Sequence, residues 1–152
     1  MGAMMDDHMI RMLQLSQKGY ACSQIVMQMV LDLRGEENPS LIRAMAGLAY
    51  GLGCGFGEGT CGALTGGACV LALYAAKGSD DETESDRFMP MLEQLSDWFS
   101  EAVGSHYGGI TCEAVVGDAG PAASVRNCGQ IVADTFAKTV GILVENGFDL
   151  SG

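Results

Sequence analysis

Apolar residues recur at helical spacing along almost the whole chain. Met9, Met12 and Leu13 open a first short stripe. Cys22, Ile25, Val26, Met29 and Leu33 form a second, which Gly35 and the nearby Pro39 bring to a stop. Asn38 is placed to cap a third helix with Pro39 in its first turn, and Leu41, Met45, Leu48 and Leu52 line one face. A fourth helix is expected from Cys61 to about Lys77, and a fifth carries Met89, Leu92, Leu95, Phe99 and Val103. The last stripe is Cys128, Val132, Phe136, Val140 and Leu143, closed by Gly147. No stretch alternates between hairpin signals. The pattern predicts an all-α fold: one domain over residues 1–152, a bundle of about five to six helices interrupted by a Gly-rich loop.

Two further segments break the helical period. Around Gly78–Ser85 the chain gathers Asp80, Asp81, Glu82, Glu84 and Asp86, which read as a solvated connection feeding acids into the next helix start. The glycine and spacing of an EF-hand loop are missing there. Gly104–Pro121 is glycine-rich and irregular, with one short helical piece around Thr111–Val116.

Charge narrows the function classes. Eight Lys and Arg stand against 19 Asp and Glu, for a formal net charge of -11. Such a surface repels phosphate backbones and anionic headgroups, which argues against nucleic acid and membrane-surface binding. The longest charge-free run, Thr60–Ala76, is short of the ~20 apolar residues a span needs and rich in small residues, so it reads as a buried core helix. The first residues lack a basic signal region, and Asp6 stands where myristoylation wants Ser or Thr. The expectation is a cytoplasmic protein without membrane insertion, with homo-oligomer formation left open.

The six cysteines are Cys22, Cys54, Cys61, Cys69, Cys112 and Cys128. None forms a CxxC or CxxCH pattern, so a thioredoxin motif, a zinc knuckle and c-type haem attachment are all excluded. Any joint site must be assembled by folding. Cys69, among Ala68, Val70 and Leu71, reads as core filling. The alternating glycines from Gly51 to Gly59 follow a helix, not a strand, so they are no dinucleotide fingerprint, and no P-loop lysine follows. They permit close backbone approach around Cys54 and Cys61.

One pattern occurs twice: Thr60-Cys61-Gly62-Ala63-Leu64 and Thr111-Cys112-Glu113-Ala114-Val115. In each, Thr is a natural N-cap and Cys falls in the first turn, where the helix dipole and free amides favour the thiolate. On this basis Cys61 is expected to be the most acidic thiol and Cys112 the next, held back by Glu113. Buried Cys69 is expected to be slowest. The other reading is two unrelated capped helices with incidental cysteines. His106 lies six residues before Cys112 and could serve as base or ligand, although a lone loop histidine is usually solvated.

Cys61-Gly62-Ala63-Leu64-Thr65-Gly66, preceded by Ala21-Cys22-Ser23-Gln24 and followed by Cys112 and Cys128, resembles the redox-active family named for its C_GCAxxG_C_C pattern. The resemblance spans roughly residues 10 to 147. It implies a small bacterial or archaeal protein of redox function whose site is Cys22, Cys61, Cys112 and Cys128. Cys54 and Cys69 are extra to those four, so Cys54 is a candidate substitute ligand.

Three readings stay open. In the first, the four cysteines carry out thiol–disulfide exchange without a cofactor, as an oxidoreductase with an unidentified redox partner. In the second, the same four thiolates hold an iron–sulfur cluster for electron transfer. In the third, the domain is a structural or partner-binding bundle with reduced core cysteines. The first two require Cys22, Cys61, Cys112 and Cys128 to meet, with Cys69 apart.

Overall fold

In the computed structural model the chain folds into helices α1 (Gly2–Gln17), α2 (Cys22–Arg34), α3 (Pro39–Met45), α4 (Gly62–Ala75), α5 (Phe88–Phe99), α6 (Ser105–Tyr107), α7 (Cys112–Val116) and α8 (Gly120–Glu145). The structure describes the backbone of residues 2–52, 57–117 and 120–152 and the side chains of 7–52, 57–117 and 128–152. Among the described residues there is no β-strand, only an isolated antiparallel bridge between Thr60 and Thr111. The fold is all-α.

The expected stop and start signals work locally. Gly35 takes the left-handed conformation (φ 65°) that ends α2, and its N–H returns to Asp32 and Leu31. Asn38 Oδ1 accepts from the Leu41 N–H at 3.1 Å, with Pro39 at the first helical position of α3. Gln24 Oε1 accepts from the Ala21 N–H at 3.0 Å while its Nε2 donates to Ile42 O at 3.0 Å, so one side chain starts α2 and ties it to α3.

Helix α4 occupies the middle and packs on α2, α5 and α8. It carries no charge, as a helix surrounded by protein requires. This is the charge-free run of the sequence, and no helix among the described residues is long and apolar enough to cross a membrane. Its glycines set the packing distances. A Cβ at Gly66 would stand 3.0 Å from Ser23 Cα, so α2 and α4 meet backbone to backbone. A Cβ at Gly67 would stand 2.9 Å from Thr139 Oγ1 of α8 and 3.1 Å from Leu95 Cδ2 of α5. Val26, Val30, Leu31, Leu71, Phe99, Phe136 and Leu143 fill the core around this helix.

Several expected details differ. Leu52 does not continue the apolar face of α3: the helix ends at Met45, and the 3₁₀ segment Ala46–Leu52 kinks through left-handed Tyr50 (φ 58°), Gly51 (φ 60°) and Leu52 (φ 61°). Leu52 is 83% exposed as a result. Met89 is also exposed, because α5 buries Met91, Leu95 and Phe99 instead. Val103 is buried, but on a π turn, Ser100–Gly104, rather than on a continuation of α5. The final helix starts at Gly120, well before the Cys128 stripe, which shortens the irregular segment preceding it.

Candidate functional site: four cysteines around one cavity

Cys22, Cys61, Cys112 and Cys128 all line a cavity of about 270 Å3, with Tyr20 and Tyr50 on its wall. Each is a free thiol. Cys69 is partly buried on α4, packs against the core and takes no part in that wall. Cys54 lies outside the described residues. Exposed His106 stacks edge-on against Tyr107, with ring centroids 4.6 Å apart, and stands outside the cavity.

Three of the four cysteines begin helices. Cys22 is the first residue of α2, Cys112 the first of α7, and Cys61 the N-cap of α4. The sequence pattern placed Cys22 on the apolar stripe; its place at a helix start follows from the Gln24 cap of the preceding N–H. Cys128 comes from α8.

The two Thr-Cys copies are joined directly. Across the Thr60–Thr111 bridge, the Cys61 N–H donates to Ile110 O at 2.7 Å and the Cys112 N–H to Gly59 O at 3.0 Å. The Glu113 N–H adds a bond to Gly57 O at 3.1 Å. Thr111 caps α7 as expected, its Oγ1 accepting from the Ala114 N–H at 3.0 Å. Thr60 does not cap α4; Cys61 holds that position, because Thr60 is drawn into the bridge.

The glycines make these approaches feasible. Gly51 has the backbone conformation that favours glycine, and a Cβ there would stand 2.6 Å from Gly57 O and 3.0 Å from Cys112 Cβ. A Cβ at Gly62 would collide with Cys22 Sγ. The hexapeptide Cys61–Gly66 therefore has a packing meaning. Its first glycine makes room for the sulfur of Cys22, and its second lets the α2 backbone come close enough to deliver it.

Amide hydrogens of Ser23, Tyr50, Cys22 and Gly62 point at the Cys22 sulfur, and those of Ala63 and Leu64 at Cys61. Each such bond favours thiolate. Burial opposes them and wins. Desolvation raises all four thiols, Cys61 to about 12 and Cys128 to about 11, while Cys22 and Cys112 move up less far. The expectation that Cys61 is the most acidic thiol is thus overturned: only 6% exposed, it loses more from desolvation than its two amides return. Mutual repulsion adds to the shifts, and Cys22 is the thiol that Cys61, Cys112 and Cys128 all feel. Cys69 is raised by burial alone.

No curated protein and no solved structure matches the chain. The family described as "Putative redox-active protein (C_GCAxxG_C_C)" matches residues 20–142, a stretch holding all four cavity cysteines. The chain belongs to that family.

Proposed function

We infer that the protein is a thiol–disulfide redox protein and that its working groups are Cys22, Cys61, Cys112 and Cys128. The convergence of these four free thiols on one cavity carries the reading. Cys112 and Cys22, at helix starts and less shifted, are the attacking thiols; Cys61 and Cys128, held protonated, are the resolving ones.

One observation favours a second reading, an iron–sulfur site. The amides aimed at the Cys22 and Cys61 sulfurs suit metal-bound thiolates, and metal ligation removes the proton that burial otherwise retains. Four soft sulfur donors fit such a group in kind. In spacing they fit less well: among the described residues no group of three or more His, Cys, Asp or Glu is gathered tightly enough to hold a metal ion.

Anaerobic purification followed by iron, sulfide and thiol analysis separates the readings. Thiol exchange predicts a colourless, iron-free protein that loses thiols in pairs on mild oxidation and regains them with a reductant. Stoichiometric iron and inorganic sulfide with absorption in the 400 nm region would replace it with the cluster. Thiols that stay unchanged under mild oxidation, without iron, would leave the structural bundle.

A further inference from the structure

A second cavity, about 510 Å3, opens where α1, α2 and α3 meet. Among the described residues Arg11, Lys18 and Arg43 line it, and Glu37 is the one acid on its wall. In a chain of net charge -11 with only eight Lys and Arg, this is a local reversal of charge. Arg11 is engaged by Asp32, Nε to Oδ2 at 2.7 Å, and the Gln28 amide also donates to Asp32. Lys18 and Arg43 are exposed and enter no ion pair among the described residues. Their charge is available to a ligand.

The groove adjoins the thiol cavity. Tyr20, in the turn between α1 and α2, lines both, with its N–H fixed to Leu15 O at 3.2 Å. Ala21 and Cys22, the next two residues, face the thiol cavity, whereas Gln24 faces the groove. One turn of chain therefore separates a cationic groove from four thiols.

We propose that this groove binds the carboxylate or phosphate end of a small anionic disulfide, whose sulfurs reach the thiol cavity past Tyr20. The disulfide rests on the thiol-exchange reading above; the anion site does not. In the exchange, a protein thiolate attacks one substrate sulfur, the substrate S–S bond breaks, and the departing thiolate takes up a proton. A second protein thiol then displaces the other half of the substrate from the mixed disulfide. Two protein thiols are oxidised to one disulfide, and the substrate is reduced to two thiols.

The test compares a dianionic disulfide, 5,5′-dithiobis(2-nitrobenzoate), with neutral 2,2′-dithiodipyridine on the reduced full chain. Reversing both free cations, Lys18→Glu with Arg43→Glu, should slow the dianion about tenfold at low salt and leave the neutral reagent within about twofold. Lys77→Glu with Lys138→Glu has the same net charge, alters residues outside both cavities, and should change neither rate appreciably. Equal slowing of the dianion by both double variants would reduce the effect to overall charge and overturn the groove.

A second readout is independent of the thiols. Inorganic pyrophosphate should shift the amide resonances of Lys18, Tyr20 and Arg43 in the unaltered protein, but not in the Lys18/Arg43 variant. Those shifts without any disulfide exchange would keep the anion site and remove the thiol reading. Exchange without shifts or charge discrimination would keep the thiol reading and remove the anion site.

Discussion

Cys61 should be among the last cavity thiols to react with iodoacetamide at neutral pH, behind Cys112 despite their matching sequence contexts. Alkylation follows the thiolate fraction, and Cys61 is raised from 9.0 to about 12. Three units at neutral pH mean roughly a thousandfold less thiolate than an ordinary cysteine. Cys112 is raised less far, by burial and by Cys22. Peptide mapping after a limiting dose on reduced, metal-free protein reads the order directly. Cys61 labelled ahead of Cys112 would mean that its amide donors outweigh desolvation after all.

The same shift has a consequence for stability. The folded pKa of Cys61 lies above its unfolded value, so the native state holds the proton more tightly. That contribution is complete below about pH 9 and is lost as pH rises toward 12, at most about 4 kcal/mol. Cys128 pulls in the same direction over a shorter range. The urea midpoint should therefore fall between pH 9 and 11, and less steeply in a Cys61→Ala variant. Parallel pH profiles would show that Cys61 is not the group responsible.

Much of this was legible from residue order. Helical periodicity identifies much of the bundle because α2 and α8 each bury an apolar stripe against neighbours, whereas α4, apolar all round, is visible only as the charge-free run. Gly35, Asn38 and Pro39 end and begin helices for reasons local to the backbone. The gathering of Cys22, Cys61, Cys112 and Cys128 is readable from the family order together with the apolar-stripe positions of Cys22 and Cys128, and not from spacing, since those residues come from four separate segments. Capping rules say where a thiol meets amides but not how much protein covers it, so they overstate the acidity of Cys61. Thr60 failed as a cap for a related reason. Its bridge partner, Thr111, lies far along the chain, and a local rule cannot see it. The cationic groove also escapes a linear reading, because Arg11, Lys18 and Arg43 are ordinary scattered charges until α1, α2 and α3 pack.

Gly66→Ala should destabilise the protein while Gly141→Ala stabilises it, although both put alanine into a helix. Alanine gains about 0.4–1 kcal/mol over glycine wherever the backbone accepts it. At Gly141 a Cβ meets nothing within 4 Å, so that gain should appear in full. At Gly66 it would stand 3.0 Å from Ser23 Cα and 3.1 Å from Ser23 O, which are backbone atoms. Ser23 has little freedom to retreat: it is fully buried, and its Oγ donates to Met45 O at 2.7 Å. Overpacking of this kind costs about 1–3 kcal/mol, and since both variants share the helix gain, they should differ by about 1–3 kcal/mol in urea unfolding. The effect should also reach the thiols. Moving α2 away from α4 draws Cys22 off Gly62 and the Gly62 amide off the Cys22 sulfur, leaving that thiol with fewer donors. Cys22 should then titrate higher in Gly66→Ala than in Gly141→Ala, followed by thiolate absorbance or alkylation rate against pH. Equal stabilities with equal Cys22 titrations would mean that the second glycine of the hexapeptide does not set the position of the first cysteine.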